Sequence, residues 1–160
     1  MFPNLSVLEN VRIALQRRHG HSFDFWRSEA KLSRHDERAL ELLDAVGLTE
    51  FAQTQAIELP YGRKRALEIA TTLALDPEMM LLDEPTAGMT HEDVARICAL
   101  IREVAVNRTV LMVEHNLSVV ATLSDYITVL ARGEVLAEGD YAHVSKHPDV
   151  VQAYMGTADA

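Results

Sequence analysis

The chain has 160 residues, 48% of them hydrophobic, enough to bury a core within the single-domain size range. Fifteen Lys+Arg against 24 Asp+Glu leave a formal charge of −9, which argues against a general nucleic-acid surface, since such surfaces are basic. The single cysteine, Cys98, excludes an intramolecular disulfide, and no apolar run approaches the roughly 20 residues that cross a bilayer. Met1-Phe2-Pro3-Asn4 lacks the basic and apolar stretches of a signal peptide. The expectation is a soluble, cytoplasmic chain that serves a membrane only through a partner.

In chain order, the first half reads as helical. Ser6 with Glu9 forms a capping box, and Val7, Val11 and Leu15 recur on one face. His19 to Arg34 is polar and irregular, interrupted by Phe23, Phe25 and Trp26. Ser33 with Asp36 predicts a second cap, before a stripe of Ala39, Leu42, Leu43 and Val46 that stops at Gly47, a suitable C′ residue. Leu59-Pro60-Tyr61-Gly62 then breaks the chain before a third helix carrying Leu67, Ile69, Ala70, Leu73 and Ala74, which Asp76-Pro77 ends.

The second half changes period. Met79 to Leu82 is short and wholly apolar, the pattern of a strand buried on both faces. Thr90 with Asp93 caps a helix whose stripe is Val94, Ile97, Ile101 and Val104, and Thr109 to Val113 predicts a second buried strand. Strand, helix, strand makes a βαβ unit with parallel strands. Tyr126 to Ala131, Arg132-Gly133 and Val135 to Ala137 read as a hairpin, and Tyr141 to Tyr154 as one or two closing helices. The division expected is a helical subdomain over 1–77 and part of an α/β core over 78–160.

The chemistry gathers at Leu81-Leu82-Asp83-Glu84-Pro85. In open α/β sheets, ligands collect at the carboxyl ends of the strands, where both acids are expected. Asp83 is suited to Mg²⁺ and Glu84 to polarising the water that attacks a γ-phosphate. Taken alone, the pair is equally a solvated strand end. His115 ends the next apolar run, Val110 to Glu114, so adjacent strands are expected to bring acid, acid and imidazole to one sheet edge. Leu59-Pro60-Tyr61-Gly62-Arg63 opens a helix, whose N-terminus suits an anion; in isolation an ordinary turn before a helix explains it better. His19-Gly20-His21 lacks ligand spacing for a metal and reads as a solvated loop. Cys98 reads as a small core residue, and Asp36-Glu37-Arg38 as a charged helix face.

In order and spacing these motifs resemble an ABC transporter ATPase: signature turn and helix, Walker B strand with its glutamate, D-loop, then switch histidine. Leu59 to Gly62, Leu67-Glu68-Ile69-Ala70 and the ending His147-Pro148-Asp149-Val150 to Ala153-Tyr154-Met155-Gly156 resemble the ATPases of branched-chain amino acid uptake, with urea and short-amide transporters as relatives. Even Phe2 to Val11 resembles the segment that opens the family's helical subdomain. The resemblance implies a partial P-loop NTPase fold, α/β in class, with the helical subdomain followed by the C-terminal part of the RecA-like core. It further implies ATP and Mg²⁺ as cofactors. Asp83 holds the ion through water, Glu84 activates the attacking water and His115 senses the γ-phosphate. Leu59, Pro60, Tyr61, Gly62 and Arg63 cover the nucleotide of an opposing subunit. The implied partners are a second ABC ATPase subunit, identical or not, and transmembrane permease subunits, with no nucleic acid. The implied location is the inner face of the cell membrane, and His19 to Arg34 is implied to lie in the subdomain that faces the permease subunits, with Phe23, Phe25 and Trp26 chiefly packed in its core. Tyr61 and Arg63 stand where glycine and glutamine are typical of the signature, and Thr90 where many D-loops carry aspartate.

A phosphate loop of the form G-x-x-x-x-G-K-[ST] does not occur in the sequence. The nearest imitation, Gly133 to Gly139, is one residue too long and reads as hairpin punctuation. That loop, the adenine-contacting aromatic and the switch glutamine are expected before Met1, in a missing N-terminal half. Without the loop Glu84 has no positioned substrate, and without the preceding strands the sheet is expected to expose an edge and a face. Two functions compete. One is an ATP-hydrolysing transporter subunit, inactive until completed. The other is a non-catalytic module that supplies its signature to a partner ATPase. DNA-repair ATPases of the superfamily are disfavoured by the acidic balance and the absence of long heptads.

Overall fold

Ser6 and Glu9 start the first helix as the sequence predicts. The Ser6 N–H donates to Glu9 Oε2 at 2.7 Å and the Glu9 N–H donates to Ser6 Oγ at 3.1 Å, closing both halves of the capping box. In the computed structural model, which describes residues 1–18 and 29–155, helix α1 spans Val7–Arg18, α2 Glu29–Ala45 and α3 Tyr61–Ala74. Short 3₁₀ turns occupy Thr49–Phe51 and Ala56–Glu58. Strand β1 (Met79–Asp83), helix α4 (His91–Ala105) and strand β2 (Thr109–Val113) follow. Together these form a first compact unit, Met1–Val113.

Its helical part closes around Val7, Val11, Leu15, Ala39, Leu43, Leu67 and Ala70, all buried and all on the apolar stripes read from the sequence. The N-terminal segment is zipped to the 3₁₀ region: the Val7 N–H donates to the Thr54 carbonyl at 2.9 Å and that of Ala56 to the Leu5 carbonyl at 2.9 Å. Buried Asn10 fastens it further. Its Oδ1 accepts from the Phe2 N–H at 2.7 Å, and its Nδ2 donates to the Phe2 and Ser6 carbonyls at 3.0 and 2.9 Å.

Helix α2 begins earlier than its sequence signals imply. Ser33 lies inside the helix and not at its cap, because the backbone is already helical from Glu29. Residues 29–34 of the stretch expected to be irregular are therefore helix, while His19, Gly20, His21, Phe23, Phe25 and Trp26 lie outside the described residues. Gly47 does end the helix in the left-handed conformation (φ +69°), with its N–H on the Asp44 carbonyl at 2.9 Å.

The βαβ unit forms as read. Strands β1 and β2 pair in parallel with Met80 against Val110 and Asp83 against Val113. Burial departs from expectation: neither strand is covered on both faces. Met80 is buried, but Leu81 is 71% exposed, and Leu111 and Val113 are also open. Helix α3 and α4 supply the one covered face, where Ile69 meets Met80, Leu82, Leu100, Ile101 and Val104 around a small apolar gap. An exposed face on the β1–β2 pair is thus present, as expected.

The second compact unit runs from Glu114. It holds α5 (Leu117–Leu123), β3 (Ile127–Ala131), β4 (Glu134–Gly139), α6 (Tyr141–Val144) and α7 (Pro148–Met155). Strands β3 and β4 pair antiparallel through Arg132-Gly133, both at positive φ (53° and 83°), which matches the twist of a two-residue hairpin. Val129, Ala137, Val144 and Val150 form its core. Helix α5 was not legible in the sequence; the Asn116 side chain caps it, accepting from the Ser118 and Val119 N–H groups.

Candidate functional site

The site grows from the end of β1. Alternation along the strand leaves Asp83 exposed at its last position, and the chain then leaves the sheet abruptly. Glu84 is half-buried and has φ 45°, left-handed backbone that glutamate rarely adopts. Its N–H still donates to the Val113 carbonyl at 2.9 Å, while its own carbonyl accepts from the Ala87 N–H at 3.1 Å. Pro85 and Thr86 are buried beneath the turn, and the Met89 N–H closes it on the Thr86 carbonyl at 3.3 Å. The two acids, the tight turn and the carboxyl end of β2 therefore share one sheet edge, where open α/β sheets bind ligands.

The Leu59–Arg63 turn belongs to the same unit. Leu59 is buried and anchors the turn, and Pro60 occupies the N-cap of α3 with no side-chain cap bond. Tyr61 is 57% exposed. Arg63 does not reach for a carboxylate; its guanidinium lies 3.8 Å from the centroid of the Phe51 ring, a cation–π contact that fixes it against the 3₁₀ segment. Arg65, two residues on, donates to Glu68 at 2.9 Å, and that bond raises the arginine's pKa above its ordinary value. Gly62 and Arg63 border a cleft of about 300 Å³, together with Gly47, Glu50, Thr90 and Arg96. The Arg96 guanidinium lies against Gly47, in space a side chain there would need.

Thr90 has a clear local task. Its Oγ1 accepts from the Asp93 N–H at 3.2 Å and donates to Asp93 Oδ2 at 2.8 Å, so it is the N-cap of α4. His115 opens the second unit and is exposed there; its N–H, with that of Asn116, donates to Glu114 Oε2 at 3.1 and 3.2 Å. Each candidate residue thus has its place: Asp83, Glu84 and Leu59 to Arg63 in the first unit, His115 in the second. Sequence reasoning missed Gly88 and Met89 as neighbours of the Leu59–Arg63 turn. The signal was present in the pair of glycines, Gly62 and Gly88, whose backbones approach closely.

No group of three or more His, Cys, Asp or Glu arranged for a metal occurs among the described residues. Among them, no helix is long and apolar enough to cross a membrane.

Residues 1–87 match the family model described as ABC transporter, and residues 134–160 match the branched-chain amino acid ATP-binding cassette transporter model. The chain is 35% identical over 165 residues to the high-affinity branched-chain amino acid transport ATP-binding protein BraF of Pseudomonas aeruginosa, covering 99% of this chain and 65% of BraF. LivG of Escherichia coli, of the same description, is 35% identical over 170 residues with the same coverage. The chain thus spans 65% of the length of these curated relatives. Among solved structures, the ATP-binding cassette MJ1267 in its ADP conformation aligns with a TM-score of 0.70 and 25% identity, over 97% of this chain and 64% of that one. A dimeric post-hydrolysis state of the cassette MJ0796, bound to ADP and Pi, aligns with a TM-score of 0.72 and 28% identity, over 86% of this chain and 57% of that one.

Proposed function

Since the chain belongs to the ABC transporter family and has the α/β fold of its ATP-binding cassettes, we propose that it forms the signature and water-activating part of an ATP-hydrolysing subunit that powers branched-chain amino acid uptake. The observation that carries this reading is Glu84. A glutamate held in left-handed backbone at the carboxyl end of a parallel strand is a strained residue at the edge where ligands bind, and such strain persists where surrounding structure enforces it for function.

In this reading residues 1–77 are the helical subdomain and 78–160 the C-terminal part of the ATPase core. Glu84 would take a proton from the attacking water, and Asp83 would help to hold Mg²⁺ through water. Such an ion takes one or two carboxylates and completes its shell with water and phosphate oxygens, which suits the open position of Asp83. The bound ion supplies charge neutralisation of the phosphates. His115 hydrogen-bonds the γ-phosphate, and the N-terminal turn of α3 at Pro60 to Arg63 faces the nucleotide of a second subunit. Permease subunits hold the assembly at the cytoplasmic face of the membrane and, with a binding protein, select the cargo.

The test is hydrolysis by the chain assembled with a polypeptide carrying a phosphate loop and with the permease. Glu84→Gln abolishing turnover, with Gly62→Asp only weakening it, supports the catalytic reading. If only Gly62→Asp matters, the chain is a non-catalytic module acting on its partner's nucleotide. The chain alone is expected to show no calorimetric ATP binding at sub-millimolar concentration, and micromolar affinity would contradict the need for a separate phosphate cradle.

A further inference from the structure

The Leu59–Arg63 turn and the turn after Glu84 touch within one chain, and the contact is made by glycine. A Cβ placed on Gly88 would lie 2.6 Å from Cδ1 and 3.1 Å from Cε1 of the Tyr61 ring. A Cβ on Gly62 would lie 3.1 Å from the Gly88 carbonyl oxygen and 3.2 Å from Met89 Cγ. Gly88 also has φ +69°, which glycine adopts freely. The Cδ1–Cε1 edge of the tyrosine ring therefore lies against the Gly88 backbone, at a place where any side chain would displace it.

From Gly88 the path back to Glu84 is short and bonded. The Met89 N–H donates to the Thr86 carbonyl and the Ala87 N–H to the Glu84 carbonyl, at 3.3 and 3.1 Å, over buried Pro85 and Thr86. Four residues in so tight a turn transmit a displacement of Gly88 to the strained Glu84 backbone with little slack. On the far side, Tyr61 is the first residue of α3, so its ring moves with the helix that carries Gly62 and Arg63.

We propose that Tyr61 is a positioning residue: seated on Gly88, its ring ties the turn that sets Glu84 to the N-terminus of α3, so that the two move as one body. This rests on the catalytic reading for its consequence in turnover, though not for the contact itself. The contact with Gly88 is made by the ring; the hydroxyl hydrogen-bonds Arg65 on the same helix and takes no part in it.

The test is amide hydrogen exchange in the full chain, followed by turnover in the assembled transporter. Tyr61→Ala is expected to speed exchange of the 85–90 amides roughly tenfold while leaving those of β2 unchanged. Tyr61→Phe is expected to keep wild-type exchange at 85–90. Gly88→Ala should loosen the same amides in the wild-type background, with a smaller effect once Tyr61→Ala has removed the ring, because the clash with the ring is then gone and only the backbone strain remains. Unprotected 85–90 amides in the wild-type chain, no change in Tyr61→Ala, or equal acceleration across α3, β1 and β2 would each overturn the proposal. In the assembled transporter, Tyr61→Ala is expected to lower kcat roughly tenfold with KM for ATP within about twofold, the signature of a misplaced catalytic group; a rise in KM at constant kcat would overturn it. Should Glu84→Gln leave hydrolysis intact, the catalytic reading fails, and the exchange measurements still decide the Tyr61–Gly88 coupling.

Discussion

The Glu84 N–H donates to the Val113 carbonyl at 2.9 Å, extending the parallel ladder one step past the last residue of β1, while Glu84 itself sits at φ 45°. The hydrogen bond and the tight turn after it together hold a non-glycine residue where its Cβ crowds its own carbonyl. The backbone strain is separable from the side chain. Glu84→Ala and Glu84→Gly both remove the carboxylate, but only glycine relieves the strain. Chemical denaturation is expected to find Glu84→Gly more stable than Glu84→Ala by about 1 kcal/mol, and neither variant to support hydrolysis in the assembled transporter. Equal stabilities would show that the φ value carries no cost.

Asn10 is 3% exposed and bonds Phe2 through both ends of its amide. Asn10→Leu keeps the size of the side chain but takes from the Phe2 N–H its acceptor, while the Phe2, Leu5 and Ser6 carbonyls each lose one donor and keep a backbone one. The expected loss is about 1–3 kcal/mol, read from the denaturation midpoint, with faster exchange of the amides that join residues 7–8 to 52–54.

Glu9 gives a pH dependence of known sign. The hydrogen bond from the Ser6 N–H, and then that from the Ser6 hydroxyl, lowers its pKa below the usual 4.5. A carboxylate depressed in the folded state contributes stability that is fully present above its unfolded pKa and is lost as pH falls through the folded value. Wild type and Glu9→Gln are therefore expected to differ by a constant amount at pH 6–8 and to converge below about pH 4. Thermal melts across that range check it. A difference that grows on acidification would contradict the assignment.

The open face of β1 and β2 has a cost in solution. Leu81, Leu111 and Val113 are 71%, 54% and 61% exposed on two adjacent strands whose outer edges pair with no further strand among the described residues, the arrangement that templates aggregation. Light scattering of the purified chain is expected to show association that Leu81→Lys with Leu111→Lys suppresses, at little cost in helical content. The same pair is expected to block assembly into an active transporter. A wild-type chain that stays monomeric and unfolds sharply and reversibly would refute this.

Much of the fold was legible because its local signals agree. The Ser6–Glu9 box, Gly47 as C′ residue, the Thr90 cap and the Arg132-Gly133 turn all act within a few residues, so short-range chemistry alone fixes them. Ser33 misled for the same reason: a cap-like pair inside a longer helix carries a start signal that the surrounding helical backbone overrides. Helix α5 is only Leu117–Leu123, too short for periodicity to declare it.

The sequence by itself determined which residues are proposed to carry the chemistry and in what order, since an apolar run ending in Asp83-Glu84 and a helix opening at Pro60-Tyr61-Gly62 are properties of neighbours along the chain. Tertiary structure alone decided three things: that Glu84 is strained, that Arg63 is held on Phe51, and that Tyr61 rests on Gly88. It also showed that apolar β1 and β2 are covered on one face only. Each of these depends on what packs against a residue from far along the chain, and hydrophobicity records that a side chain can be buried without recording what is there to bury it.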